Sequence, residues 1–347
     1  MPACVLHAVG DLRCEQVPVP TPAPGEALVE VAAAGVCGSD LPRVFEKGTY
    51  RFPLIPGHEL AGTLASSPPS CPLSPGQPVA VYPLLPCGRC PACRAGLGQL
   101  CADYDYLGSR RDGGFARYVA VPVANLLPLP PGVSLEDAAL AEPAAVALHA
   151  LRRGELAAGE WVWIVGAGPI GLLLAQWARA LGARPLITDV DPAKLALAAR
   201  WLAPEHILDS RAADPLPWVH RLTAGGADLV VEAVGLPDTV RQAVLGARQR
   251  GRVVLMGNPA GPVALAQGDY WQILRRELTL LGTWNSSCQG SPQDDWHTVL
   301  AALAAGRLEL APLVSHRVCL AELPGLLKRM YQRREPYVKV LVIPKGE

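Results

Sequence analysis

Trp161-Val162-Trp163-Ile164-Val165-Gly166-Ala167-Gly168-Pro169-Ile170-Gly171 is the stretch on which the fold turns. Five apolar residues bounded by glycine have the length of a buried strand. The glycines then follow as G-x-G-x-x-G, and a helical pattern begins. Each glycine has a separate task. Gly166 permits the tight turn, Gly168 lets backbone approach a pyrophosphate, and Gly171 lets helix and strand pack closely. With Pro169 and Ile170 they form a loop whose helix N-terminus offers free N–H groups to phosphates. A second apolar run, Pro185–Thr188, ends at Asp189, eighteen positions beyond Gly171. That interval suits the acid that binds a ribose hydroxyl in a dinucleotide site. A carboxylate there repels a 2′-phosphate. With Asp191 close by and no arginine directly after Asp189, NAD is expected rather than NADP.

The pattern extends outward from this motif. Further strand-length runs lie at Leu229–Ala233, Arg252–Met256 and Leu278–Gly282, and helical periodicity spans Ile170–Leu181 and Lys194–Leu202. The alternation predicts an α/β Rossmann domain, a doubly wound parallel sheet with helices on both faces. The chain before it is rich in Pro and Gly, with β-like runs at Ala27–Ala34 and Val79–Tyr82 and a Pro/Ser-rich turn at Ser66–Pro75. It reads as mostly β. The last sixty or so residues predict a helix at Asp294–Ala305 and a strand-like end at Val338–Ile343.

A chain of 347 residues exceeds what one core serves, so two domains are expected. Half its residues are hydrophobic and 18% are charged, a globular balance. Lys plus Arg and Asp plus Glu are 31 each, which gives no sign of a nucleic-acid or membrane-surface partner. Met1–Gln16 lacks a signal-peptide pattern, and the apolar stretches Ala138–Leu151 and Ile164–Leu181 are broken by polar residues. A cytoplasmic protein is expected.

Ten cysteines in such a chain point to metal or catalysis before disulfides. Cys87, Cys90, Cys93 and Cys101 have the spacing C-x2-C-x2-C-x7-C. Four thiolates in a short loop surround one zinc with no position left open, which makes the site structural. An iron–sulfur cluster takes four thiolates too, but at other usual spacings. Separately, Cys37, His58 and Glu142 supply one thiolate, one imidazole and one carboxylate. That set suits zinc with an open fourth position. Taken singly, each also reads as a buried thiol, a loop histidine and a helix-start acid.

Together these features resemble the zinc-containing medium-chain dehydrogenases. The likeness rests on Cys37-Gly38-Ser39-Asp40, Gly57-His58-Glu59 with Gly62, the four-cysteine lobe, Asp112-Gly113-Gly114-Phe115-Ala116, Glu142-Pro143 with His149, Gly166–Gly171 and Gly226-Ala227-Asp228 to Gly235, all in family order. Leu41-Pro42-Arg43, Tyr104–Gly114, Leu274–Thr279 and Gly282-Thr283-Trp284-Asn285 narrow it to polyol-phosphate enzymes of the sorbitol-dehydrogenase-like branch. The resemblance implies a GroES-like, mostly-β catalytic domain of residues 1–147 and 285–347 around a Rossmann domain of 148–284. It implies two zinc ions per chain. One is catalytic, held by Cys37, His58 and Glu142 with Glu59 as an alternating ligand, and one is structural in the cysteine lobe. Val234, Gly257 and Thr283 join the NAD contacts, and a homodimer or homotetramer is implied.

The expected reaction moves a hydride from a secondary alcohol of a polyol or polyol phosphate to NAD, leaving a ketone and NADH. In the alcohol-dehydrogenase branch, a histidine five residues beyond the reactive cysteine commonly relays the proton. Pro42 stands at that place and cannot. Ser39, Glu59 or a zinc-bound water remain as relays. Asp40 is expected to orient a ligand, and His149 is either a second such residue or a core histidine. Arg43, Arg110 and Arg111 are the expected phosphate contacts, since guanidinium binds phosphate bidentately, although ordinary surface pairing is equally expected of them. Unphosphorylated polyols or diols such as sorbitol and butanediol, or threonine, are the alternative substrates. A non-catalytic NAD-binding protein on the same scaffold is the alternative of another class.

Overall fold

A computed structural model describes residues 1–345; residues 346 and 347, the end of the expected catalytic domain, lie outside the described residues. The chain divides into two compact units. One is Met1–Glu142 with Ser287–Glu347, and the other is Pro143–Ser286. One junction falls inside the helix Ala141–Arg153 and the other just beyond Asn285.

The second unit is a six-stranded parallel sheet. Its strand order is Ile207–Asp209, Arg184–Asp189, Trp161–Val165, Ala227–Glu232, Ala247–Leu255 and Thr279–Gly282. The order reverses beside Trp161–Val165. Ligands bind at the carboxyl ends of strands flanking such a reversal. The central strand is apolar because helices cover both faces. Val162 and Ile164 are fully buried, each worth about 1.5–3 kcal/mol relative to exposure. Trp163 is equally buried and donates its indole N–H to Thr188 Oγ1 at 3.1 Å. Gly171 shows how tightly strand, turn and helix meet: a Cβ there would lie 1.8 Å from the Gly166 carbonyl oxygen.

The expected strands are all present, Trp161–Val165 with the expected ends and the others with shifted ones. The strand Ile207–Asp209 was not legible in the sequence. It is three residues long and half-buried at the sheet edge, too short to carry a pattern. The helices Pro215–Thr223, Pro237–Gly246 and Gln267–Arg275 were also unassigned.

The first unit is built on a seven-stranded sheet. Val314–Val318, Lys339–Val342, Glu26–Val36, Glu59–Ser66, Pro78–Val81 and Leu126–Pro128 follow in order, and Tyr118–Pro122 also pairs with Glu26–Val36. The long strand Glu26–Val36 alternates inward and outward, burying Ala27, Val29, Val31 and Ala33, and then Ala34, Gly35 and Val36 are buried in succession. There it is flanked on both edges, by Glu59–Ala61 and by Val340–Val342. Gly35 leaves the room that the Glu59 side chain occupies. A Cβ would sit 2.1 Å from the Glu59 carboxylate. No helix among the described residues is long and apolar enough to cross a membrane.

Candidate active site and metal centres

Cys37 leaves the end of the strand Glu26–Val36, and Gly57-His58 leads into the strand Glu59–Ser66. Pairing of these two strands brings Gly35 opposite Glu59, so the sheet register delivers Cys37 to His58. Ligand atoms of Cys37, His58 and Glu59 lie within 4.8 Å of one another. His58 and Glu59 are buried, and Cys37 is half-buried.

Asp40 organises this corner. Its side chain is fully buried at the start of the short helix Asp40–Pro42. One oxygen accepts from the Cys37 backbone N–H at 2.9 Å, and the other accepts from Arg43 at 2.7 Å. The latter oxygen also faces His58 Nδ1 at 3.6 Å, too far for a hydrogen bond but close enough for charge to act. Burial works against the Asp40 charge, but His58, Arg43 and the Cys37 N–H outweigh it and hold its carboxyl below the usual range.

Glu59 faces a residue the sequence reading missed. The buried Lys339 ammonium donates to Glu59 Oε1 at 2.6 Å and to the Val36 carbonyl at 2.9 Å. Lys339 begins the strand Lys339–Val342, some 280 residues away in the chain, and no local signal marks it. Burial lowers the Lys339 pKa, but the neighbouring Glu59, Cys37 and Glu142 charges raise it overall.

Glu142 falls outside the circle formed by Cys37, His58 and Glu59. It is buried, and it accepts from the Tyr106 hydroxyl at 3.3 Å. Burial, joined by the Glu59 charge, pushes its carboxyl up to about 7 against the pull of His58. Tyr106 stands beside His58 as well, with ring centroids 5.6 Å apart. Ser39 is half-buried, and its carbonyl accepts from the Arg43 N–H.

These residues suit a divalent cation on their own chemistry. Among the described residues, His58 Nδ1 and Glu59 Oε2 are buried polar atoms without a hydrogen bond. Both face a charged neighbour, Asp40 and Lys339 respectively, and the thiol, imidazole and carboxylate of Cys37, His58 and Glu59 with Glu142 nearby form a donor set that suits a doubly charged ion. The cysteine lobe fits a second ion. The ligand atoms of Cys87, Cys90, Cys93 and Cys101 all lie within 4.8 Å of one another. Backbone N–H groups of Cys93 and Ala102 bring the Cys90 thiol down to about 6, close to the thiolate form that zinc takes.

The dinucleotide candidates gather at the carboxyl ends of the parallel strands. Gly168 caps the helix Pro169–Ala180 in an extended conformation, and a Cβ there would meet nothing within 4 Å. This leaves open backbone for a phosphate. Asp189 accepts from the Ala167 N–H at 2.6 Å and from the Asp191 N–H at 2.8 Å, which fixes its carboxylate beside the glycine loop. Val234, Gly257 and Thr283 each follow the end of a neighbouring strand. The Thr283 hydroxyl is buried without a partner. Glu232 is a second residue the sequence reading missed. It is buried, and one carboxylate oxygen accepts from the Val234 and Gly235 N–H groups at 2.9 and 2.8 Å, fixing that loop. Its spacing from Gly235 was the available signal.

The three expected phosphate contacts have different neighbours. Arg43 is at the site, paired with Asp40. Arg110 is held between the Tyr50 and Tyr104 rings, 4.2 and 4.3 Å from their centroids. Arg111 pairs with Glu26 and, at 3.6 Å, with Asp105. His149 is buried.

Comparison with known proteins identifies the family and the fold. Residues 23–131 match the alcohol dehydrogenase GroES-like domain, and residues 169–305 match the zinc-binding dehydrogenase family. The chain is 37% identical to galactitol 1-phosphate 5-dehydrogenase of Escherichia coli over 92% of both chains. A crystal structure of galactitol-1-phosphate dehydrogenase from that organism superposes with a TM-score of 0.91, at 36% identity over 99% of this chain and 100% of the other. Sorbitol dehydrogenase of Bacillus subtilis is 32% identical over 99% of this chain and 97% of its own. A zinc-binding dehydrogenase from Sinorhizobium meliloti, solved bound to NADP, is 32% identical over 99% of both chains with a TM-score of 0.88.

Proposed function

This chain belongs to the zinc-containing medium-chain dehydrogenases of the polyol type, and on that premise we propose that it oxidises a secondary alcohol of a polyol phosphate with NAD. It is an oxidoreductase acting on CH–OH groups, with zinc and NAD(P) as cofactors. The observation that supports the zinc chemistry is the Cys37–His58–Glu59 cluster, with its ligand atoms within 4.8 Å of one another and two of its three residues buried. Cys37, His58 and Glu59 would hold the catalytic zinc, with Glu142 as the alternating carboxylate; Cys87, Cys90, Cys93 and Cys101 would hold the structural one. When bound, zinc polarises the alcohol oxygen and the nicotinamide accepts the hydride.

The chain's own residues do the rest. Asp40 fixes the Cys37 loop and biases the His58 ring through its charge. Lys339 donates a hydrogen bond to the Glu59 carboxylate and so places a positive charge beside it in a buried position. Ser39 carries the hydroxyl best placed in sequence to pass on the alcohol proton, since Pro42 has none. Asp189 takes the ribose hydroxyls and disfavours a 2′-phosphate, so NAD is preferred to NADP.

Arg43 supports a phosphorylated substrate, being the one cation of the three that stands beside the metal cluster. Stacking of Arg110 on Tyr50 and Tyr104 and pairing of Arg111 with Glu26 favour the second reading, an unphosphorylated polyol. Steady-state rates on galactitol 1-phosphate, galactitol, sorbitol, butanediol and threonine, each with NAD and NADP, separate the two. The expected outcome is the highest kcat/KM on the phosphate with NAD. A clear preference for a free polyol defeats the phosphate reading, and no turnover on any member defeats the polyol reading.

A homodimer or homotetramer in the cytoplasm completes the proposal. The edge strand Thr279–Gly282 leaves Leu280 exposed, and Tyr270, Trp271, Leu274 and Trp284 are exposed in the same unit. An open strand edge with apolar side chains suits a second copy of this chain. Light scattering on the purified protein is expected to give at least twice the chain mass. Leu280→Lys is expected to lower it; a monomeric parent overturns the idea.

A further inference from the structure

Among the described residues, three clusters have metal-ligand chemistry, and the function above uses only two. We propose that the third, Cys288 with Asp294 and His297, is a separate binding site for a borderline divalent cation such as zinc.

Ligand atoms of these three residues lie within 4.8 Å of one another. The donor set is thiol, carboxylate and imidazole. Calcium and magnesium favour oxygen alone, whereas a sulfur–nitrogen–oxygen set selects zinc or its neighbours. Three protein donors leave a fourth position for water.

The cluster is held together by more than chance proximity. It lies where the loop following Ser286 meets the helix Asp295–Ala304. The residues on each side of Cys288 are tied to the start of that helix. Ser287 donates its backbone N–H and its hydroxyl to Asp295, both at 2.7 Å. Gln289 donates its N–H to Asp294 at 2.8 Å. Cys288 is thereby fixed over the first turn. Asp294 caps the helix by accepting from the His297 N–H at 2.9 Å, and the same oxygen meets His297 Nδ1 at 2.9 Å. That oxygen is shared, while the second accepts a single N–H and keeps a free lone pair. Asp294 is buried, and its one ion-pair partner among the described residues is His297. His297 is about one-third exposed, which gives an ion a route in from water.

Loading such a site is an exchange of cations. The Cys288 thiol gives up its proton to solvent. The proton shared by Asp294 and His297 leaves if the ring is charged, and the metal takes their place. Thiolate and carboxylate together balance the two charges of the ion. The consequence is a clamp that fastens the loop Ser286–Asp294 to the helix.

The test is equilibrium dialysis of the full-length protein against zinc(II), with metal content read by mass spectrometry. The wild-type chain is expected to take up one zinc more than Cys288→Ser and one more than His297→Ala. Both variants keep the zinc of the other two clusters. His297 is exposed enough for its alanine variant to fold, which guards against a failure of the Cys288 variant. Cobalt(II) gives an independent reading: the thiolate–cobalt absorption of the wild-type protein should weaken in Cys288→Ser by the share of one thiolate. Equal zinc uptake by all three proteins overturns the proposal, as does a wild-type chain that stops at the zinc content of the variants. Neither outcome bears on the dehydrogenase reading, which rests on other ligands.

Discussion

Cys37→Ala is expected to abolish turnover while leaving NADH binding intact. The alanine keeps the backbone N–H that donates to Asp40, so the turn after Val36 survives. What is lost is a thiolate from a cluster whose ligand atoms lie within 4.8 Å. Lewis-acid stabilisation of the developing negative charge supplies several kcal/mol. At about 1.36 kcal/mol per tenfold, the fall in kcat should be about a thousandfold or more. The residues assigned to NAD belong to the other compact unit, so NADH fluorescence titration should give a nearly unchanged Kd. Cys93→Ala should behave in the opposite way. It removes one of four thiolates from the lobe, so the melting temperature falls and a zinc is lost first. The surviving folded protein should still turn over. A folded Cys37→Ala chain with near-parental kcat would defeat the zinc mechanism.

Lys339→Met is expected to destabilise the first unit, most severely in zinc-depleted protein. The Lys339 and Glu59 side chains are only 4% and 1% exposed. Removing the ammonium leaves a buried carboxylate with no positive partner, and breaking such a pair costs about 3–5 kcal/mol. Bound zinc would offset part of that cost, because Glu59 would be one of its ligands. Denaturant melts should therefore show a larger loss after chelation than before. Glu59→Gln added to Lys339→Met should restore much of the stability, since the double variant removes the uncompensated charge. A Lys339→Met protein as stable as the parent without zinc would show that the pair is not a determinant of the site.

The glycine turn was legible because its demands are local. Only glycine fits where a Cβ would lie 1.8 Å from the Gly166 carbonyl, and the strand before it and the helix after it carry their own periodicities. The four-cysteine lobe was legible for the same reason, since all its ligands lie within fifteen residues of chain. Ile207–Asp209 was not, because three half-buried residues at a sheet edge show no pattern of either period. The surroundings of the arginines were not legible for a related reason. Sequence shows a cation but not its neighbours, and Tyr50, Tyr104 and Glu26 occupy two of the three.

By itself the sequence carried the two-part architecture, the dinucleotide loop and the four-cysteine spacing, and its family resemblance gave Cys37 and His58 as an expected metal pair. The loop and the lobe follow from residues near one another in the chain, whose spacing carries the geometry. The tertiary structure alone decided which carboxylate stands with that pair. Glu59 lies in the cluster because Gly35 opposite it leaves the space and Lys339 supplies the charge. Glu142 sits apart, bonded to Tyr106. A buried charge takes its place from its counter-charge, and here the counter-charge comes from the far end of the chain, where no local pattern points to it.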